Sequence, residues 1–478
     1  MKKVLLAGAE CVPFVKTGGL ADVMGALPKE LKKQGVDVRV VIPKYTKIPE
    51  KYRHAMVWKK NIGIPLGADV KFCGIEEYEY EGVTFYFLDN MEYFDRPDLY
   101  GYADDYERFA FFSRAVLEFL PHVDFKPDLI HCNDWQTGMV PPLLHAQYIR
   151  NPFYANIRTL YTVHNMKYQG ICAANVATHL LHFGREWLSS DKLEFHGNVS
   201  FMKGGLTYAD IISTVSNSYA EEIQEPQYGE KLEGLLQARS NDLFGIVNGI
   251  DYDLYNPKTD KKIAVNYDIK SLGKKVENKL ALQERLGLPV NKDIPVIGMV
   301  SRLIAAKGFG LVEQVLWEMM EYDNIQLVIL GTGDPKFEEL FRNAQNMYPH
   351  KLSVHMYFDA TLAQQIYAGC DLFLMPSLYE PCGLSQIMAM RYGTVPIVRE
   401  TGGLRDTVRA YNEHSGEGNG FSFAFVNAHD MLYTIRRAVS FFHDSKHWVK
   451  IQKNAMNSDF SWKHSAKEYV ELYDWTCA

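Results

Sequence analysis

Short apolar runs, each followed by a helical pattern, recur along this chain and constrain its architecture more than any other feature. In the first half they are Val4–Ala9, Val36–Ile42, Val83–Leu88, Asp128–His131, Arg158–Val163 and Ile211–Val215. In the second half they are Pro295–Val300, Gln326–Leu330, Leu372–Met375 and Val395–Val398. Runs polar on neither face are buried on both, and the intervening helices supply the cover. The chain therefore reads as α/β, with doubly wound parallel sheets. Ligands in such folds gather beyond the carboxyl ends of the strands, so the residues just after each run carry the functional expectation.

Two runs feed the same kind of junction. Lys16-Thr17-Gly18-Gly19-Leu20-Ala21-Asp22-Val23 follows the first strand, and Thr401-Gly402-Gly403-Leu404-Arg405-Asp406-Thr407-Val408 follows Val395–Val398. A glycine-rich loop opening a helix lets backbone N–H groups approach an anion at the positive end of the helix dipole, and Lys16 adds a point charge. The first loop is neither a dinucleotide fingerprint nor a P-loop, yet it suits a diphosphate. The competing reading for either loop is a tight strand-to-helix turn without a ligand.

With 478 residues and 47% hydrophobic composition, the chain has enough apolar mass for two or three domains. A net charge of -7 offers no global attraction to nucleic acid or anionic membrane, so an anionic ligand must be held by local cations. Seven cysteines, odd in number and without metal-ligand spacing, read as thiols of a reducing, cytoplasmic compartment. Met1-Lys2-Lys3 followed by Val4–Ala9 imitates a signal peptide, but Glu10 interrupts a run that is too short, and the segment reads as a first strand. A domain boundary is expected between Val247 and Pro257, at Asn248-Gly249-Ile250-Asp251. The charged stretch Lys258–Lys279 beyond it reads as a linker and helix opening, and Lys463–Trp475 as an amphipathic final helix.

The polar residues at strand ends form a set. Ser301-Arg302 with Lys307-Gly308 places two cations beyond one strand; Asp134-Trp135, His164-Asn165 and Glu380-Pro381-Cys382-Gly383-Leu384-Ser385 follow three others. Singly, each has an ordinary structural reading: surface charges for Arg302 and Lys307, a helix cap for Asp134, a strand-end histidine for His164, a loop carboxylate for Glu380. Asp251-Tyr252-Asp253 imitates a metal-binding Asp-x-Asp, but its place at the domain crossover reads as a turn.

Taken together, Lys16–Val23, Thr162-Val163-His164-Asn165, Asn248–Asp251, Ser301-Arg302 with Lys307-Gly308, and Glu380–Leu384 resemble the bacterial glycogen synthases and plant starch synthases, from the first strand to the last helix. The resemblance implies a GT-B fold of two Rossmann-like domains facing a deep cleft. Residues 1–247 would form the acceptor-side domain carrying the Lys16 loop, 248–460 the nucleotide-sugar domain, and 461–478 a helix crossing back to the first. It implies transfer of glucose from ADP-glucose to the non-reducing end of an α-1,4-glucan with retention of configuration, without cofactor or metal. By the same resemblance Glu380 supports the developing sugar cation, and His164 and Asn248 orient the donor glucose. Arg302, Lys307, Lys16, Gly18, Gly19 and the helix opened by Gly383, Leu384 and Ser385 hold the nucleotide diphosphate, with Phe358 near the base. Glu10, Asp134 and Trp135 lie towards the acceptor. Domain closure about a hinge near 248–256 is expected. The chain departs from the family at Gly310, where an Asp is usual, at Arg405, where a small residue is usual, and at Phe358, where a tyrosine occurs. Two further readings remain: a UDP-sugar-dependent retaining transferase of the same fold, against which the Lys16 loop argues, and a non-catalytic glucan-binding protein, against which the ring of cations argues.

Overall fold

The computed structural model describes residues 1–478, and the chain divides into two compact units: Met1–Asn248 with Trp462–Ala478, and Gly249–Ser461.

The first unit is built on a nine-stranded sheet. Its order is Leu243–Gly245, Ile211–Thr214, Arg158–Val163, Leu129–Asn133, Lys3–Ala7, Asp37–Pro43, Val83–Asp89, Asp69–Tyr80 and Val57–Leu66. The first seven run parallel. Val4, Leu5, Leu6 and Ala7 of the central strand are fully buried, as its unbroken apolar run requires. Helix Gly19–Lys33 covers one face through Leu20, Val23, Met24, Leu27 and Leu31, spaced to form a single apolar stripe. Helix Trp462–Thr476 packs beside it and against Arg158–Val163, burying Trp462, Ala466, Tyr469 and Tyr473.

The expectation of a purely parallel sheet is corrected at the edge of this unit. Val57–Leu66 and Asp69–Tyr80 form an antiparallel hairpin that extends the sheet beyond Val83–Asp89. Lys59, Lys60, Glu76, Glu77 and Glu79 break up its apolar pattern, because this end of the sheet faces water and needs no second apolar face. A small antiparallel sheet of Ile171–Cys172, Asn198–Ser200 and Glu194–Phe195 was equally silent in the sequence, its strands being two or three residues long.

The second unit holds a six-stranded, wholly parallel sheet in the order Leu352–His355, Gln326–Leu330, Val296–Val300, Leu372–Met375, Val395–Arg399, Phe421–Phe423. Numbered within the unit this is 3-2-1-4-5-6, the doubly wound order whose switch point lies between the first and fourth strands. Ile297, Leu327, Leu374 and Ile397 from the strands and Val312, Leu316, Met319, Ile435 and Ile451 from the helices share one core. The helices start where the chemistry demands: Asp334 caps Pro335–Met347, with proline in the first turn, Asn427 caps Ala428–Phe442 and Asp444 caps Ser445–Asn457.

The charged stretch Lys258–Lys279 is not a free linker. Lys275, buried in the helix Lys275–Arg285, donates to the Ala368 carbonyl (2.6 Å) and Thr394 Oγ1 (2.7 Å), and Lys279 pairs with Asp371 at 2.7 Å. Burial pushes the Lys275 ammonium down to about 7. Asp251, at the start of this unit, accepts the N–H groups of Asp253 (2.8 Å) and Leu254 (3.2 Å), closing a turn.

Candidate active site

In the second unit the switch point gathers the residues singled out from the sequence. The strand Val296–Val300 delivers Arg302 and Lys307; its neighbour Leu372–Met375 delivers the loop bearing Glu380. The two loops touch: a Cβ placed on Gly308 would lie 1.9 Å from the Pro376 carbonyl oxygen, and the residue sits at φ +79. Only glycine allows so close an approach in that conformation.

The contact brings Lys307 Nζ to 2.5 Å from Glu380 Oε2. Ser377 Oγ donates to the same oxygen at 2.9 Å, so Oε1 is left with no protein donor. Ser377 is itself fixed, since buried Arg399 donates to the carbonyls of Ser377 and Leu378 at 2.8 Å each. Arg302 contrasts with Lys307, being exposed and without an ion-pair partner. The arrangement leaves one committed cation, one available cation and a buried carboxylate presenting a single free oxygen.

The second doubled glycine belongs to this scaffold. A Cβ on Gly402 would fall 2.1 Å from the Glu380 carbonyl oxygen, and one on Gly403 2.1 Å from that of Cys382, while the Gly403 N–H donates to Glu380 O at 3.2 Å. This loop clamps the backbone of Glu380–Cys382. Gly383 at φ +73, with Leu384, leads into the seven-residue helix Ser385–Arg391. Phe358 projects into solvent, 82% exposed, between the strand Leu352–His355 and the helix Ala360–Gly369.

The first doubled glycine behaves differently. A Cβ on Gly18 would meet nothing nearer than 3.7 Å, and one on exposed Gly19 nothing within 4 Å, so packing does not require either glycine. The loop's donors are nevertheless largely committed. Buried Glu10 accepts the N–H of Thr17, the Thr17 hydroxyl (2.9 Å) and the Gly18 N–H (3.2 Å). Lys16 Nζ lies 2.7 Å from each oxygen of Asp22. The Gly19 N–H opens the helix and has no intrahelical acceptor. Burial raises the Glu10 carboxyl above its ordinary range despite those donors.

Also in the first unit, the strand Leu129–Asn133 ends at Asp134, whose backbone is held at φ +57, ψ 179. A non-glycine residue there costs about 1–3 kcal/mol and persists only where its surroundings enforce it. The enforcing contacts are its N–H to Thr162 O (2.9 Å) and its carboxylate, whose Oδ1 accepts the N–H of His164 (2.7 Å) and which also accepts that of Asn165. Burial pushes the Asp134 carboxyl up to about 7, with Glu10 adding to the rise. The His164 ring is held neutral, burial pushing it down to about 3, and its Nε2 bonds Asn133 Oδ1 at 2.9 Å. Trp135 stacks edge-on against Phe109 and Phe201, with centroids 5.0 and 6.1 Å away. Asn248, last residue of the unit's main segment, is 5% exposed, and its Oδ1 has no partner.

The sequence did not single out Asn133, Ser377 or Arg399. The only available sign was a polar residue at or just beyond the end of an apolar strand, beside a residue that was noticed.

Residues 3–238 match the family model described as starch synthase catalytic domain, and residues 283–457 that of glycosyl transferases group 1. The chain is 54% identical to the glycogen synthase of Desulforamulus reducens, over 98% of this chain and 98% of that protein. It belongs to the glycogen synthase family. The glycogen synthase of Anoxybacillus flavithermus is likewise 54% identical, over 99% of this chain and 97% of its own. Among solved structures, the catalytic domain of starch synthase IV from Arabidopsis thaliana, bound to ADP and acarbose, superposes with a TM-score of 0.91 at 32% identity, covering 100% of this chain and 99% of that one. A sucrose-phosphate synthase from Thermosynechococcus elongatus shares the fold at a TM-score of 0.62 and 20% identity, covering 99% of each chain. This glycogen synthase family member is a hexosyltransferase of GT-B fold.

Proposed function

We propose that the chain transfers glucose from ADP-glucose to the non-reducing end of an α-1,4-glucan such as glycogen, retaining the configuration of the transferred sugar. The observation that carries this reading is the switch-point cluster, where a buried carboxylate is held by Lys307 and Ser377 and an uncommitted Arg302 stands on the neighbouring loop. A nucleoside diphosphate is already a good leaving group, so catalysis needs positive charge placed where the departing phosphate gains negative charge. Arg302 and Lys307 supply it without a metal. Glu380 Oε1, lacking a protein donor, is suited to sugar hydroxyls and to the cationic character of the anomeric carbon. Lys16 and the Gly19 N–H provide a further anion site, and Lys16 reaches a phosphate by leaving Asp22. Asn248 Oδ1 and His164 are suited to donor hydroxyls; Glu10, Asp134 and Trp135 are assigned to the acceptor side. Phe358 is assigned to the base.

The ADP in the related starch synthase IV structure supports an adenine nucleotide as donor. No helix is long and apolar enough to cross a membrane, and all seven cysteines are free, which supports a cytoplasmic location. The test is incorporation of labelled glucose into glycogen from ADP-glucose beside UDP-glucose at equal concentration. Incorporation at least tenfold faster from ADP-glucose is the expected result. Faster incorporation from UDP-glucose would replace the donor assignment, and none from either would leave a glucan-binding protein.

A further inference from the structure

Asn133 closes the strand Leu129–Asn133 and is fully buried, yet its side chain uses every polar atom. Its Nδ2 donates to two backbone carbonyls, those of Ala7 and His131, each at 3.2 Å. Carbonyl oxygens only accept, so the amide nitrogen is fixed on that side and Oδ1 is turned towards the His164 ring. Oδ1 in turn only accepts. The imidazole atom 2.9 Å away, Nε2, must then carry the proton, and Nδ1 of a neutral ring is left with a lone pair. The partners of Nε2 and of the main-chain N–H are accounted for, and Nδ1 has none within the protein.

We propose that Asn133 is a positioning residue that locks His164 in the tautomer with a proton on Nε2, so that Nδ1 acts solely as a hydrogen-bond acceptor for a hydroxyl of the bound sugar. The device is rigid because the neighbouring residue completes it: Asp134 Oδ1 grips the His164 N–H at 2.7 Å, so consecutive side chains fix ring and backbone together. Burial, which keeps the ring uncharged, preserves the lone pair. A wrong tautomer would set N–H against O–H, which a hydroxyl already accepting elsewhere tolerates less well than a freely turning one. Orientation of the sugar, rather than affinity for the nucleotide, is what this controls. The inference rests on the reading of His164 as a donor-sugar ligand.

The test uses full-length protein labelled with nitrogen-15 at histidine, with the His164 signals assigned by their loss in His164→Gln. The parent should show a protonated Nε2 and an unprotonated Nδ1. Asn133→Leu, of similar size but without hydrogen-bonding groups, should lose that single-tautomer signature and lower kcat at least tenfold while ADP affinity stays within twofold. A parent spectrum with the proton on Nδ1 overturns the proposal whether or not the variant folds. So does an Asn133→Leu protein with reduced kcat that keeps the Nε2-protonated signature, since its loss would be structural. If His164→Gln itself keeps turnover within threefold, the sugar-contact reading fails, and the parent spectrum still decides the role of Asn133 on the tautomer.

Discussion

Replacing Lys307 with methionine separates the structural work of this lysine from its catalytic work. The Lys307 side chain is 20% exposed and that of Glu380 8%, with 2.5 Å between Nζ and Oε2. At an effective dielectric of about 20, two unit charges at that distance attract by about 6–7 kcal/mol before desolvation is subtracted. Removing one partner of a buried pair costs about 3–5 kcal/mol, because the remaining charge is stranded. Here Ser377 still donates to Oε2 and the lysine end is partly wet, which lowers the figure to about 2–4 kcal/mol. For a unit of this size that corresponds to a fall in Tm of about 5–15 °C. Arg302→Ala is the control: an exposed guanidinium without an ion pair should cost within about 0.5 kcal/mol. Both variants should lose about a hundredfold in kcat, the scale for deleting a preorganised charge donor. Calorimetry of the two full-length variants and of Lys307→Met combined with Glu380→Gln makes the comparison. The combined variant should recover at least half of the lost stability, since a neutral amide needs no countercharge. Equal Tm values for Lys307→Met and Arg302→Ala, or no recovery in the combined variant, would refute the reasoning.

Glu380→Gln alone should keep ADP affinity and lose most turnover, because only the transition state gains from the carboxylate charge; a glucosyl group trapped covalently on Glu380 of the parent would make it a nucleophile instead. Turnover after exhaustive chelation should stay within twofold, and loss restored by manganese would show that Arg302 and Lys307 do not suffice. The buried His131 ring, bonded to Tyr473 Oη (2.8 Å) and Thr162 Oγ1 (2.6 Å), is pushed down to about 3 by burial. The unfolded chain takes up this proton below the ordinary histidine range and the fold does not, so stability is lost as pH falls from about 6.5 towards 3, by about 1.4 kcal/mol per pH unit. His131→Gln should flatten the urea-measured slope between pH 6.5 and 4.5 by that amount, and an unchanged slope would mean that His131 is protonated in the fold.

The ten apolar runs located ten of the thirteen strands of the two parallel arrays to within two residues at their ends, because a strand covered on both faces has no way to hide its composition; the three missed, Leu243–Gly245, Leu352–His355 and Phe421–Phe423, are short edge strands that are not buried along their whole length. The hairpin Val57–Leu66 and Asp69–Tyr80 escaped because an edge facing water imposes no such run. The cations and carboxylates were likewise visible by type and by their place after a strand. Their partners were not. Lys307 and Glu380 are 73 residues apart, and their contact depends on a crossover that makes the fourth strand of the second unit the neighbour of the first.

The two doubled glycines show the same division most sharply. As sequence they are alike, each following a strand and opening a helix. Only the packing decides that Gly402-Gly403 lies against the Glu380–Cys382 backbone, where any side chain would collide, whereas Gly18-Gly19 has open space and is tethered by Glu10. Which chemical groups the chain possesses, and which strands carry most of them, is legible from residue order alone, since burial and backbone propensity act locally. Which groups meet, which charges are already spent on one another, and which tautomer His164 adopts were decided by tertiary structure, because those properties belong to pairs of atoms brought together by strand order, not to either residue alone.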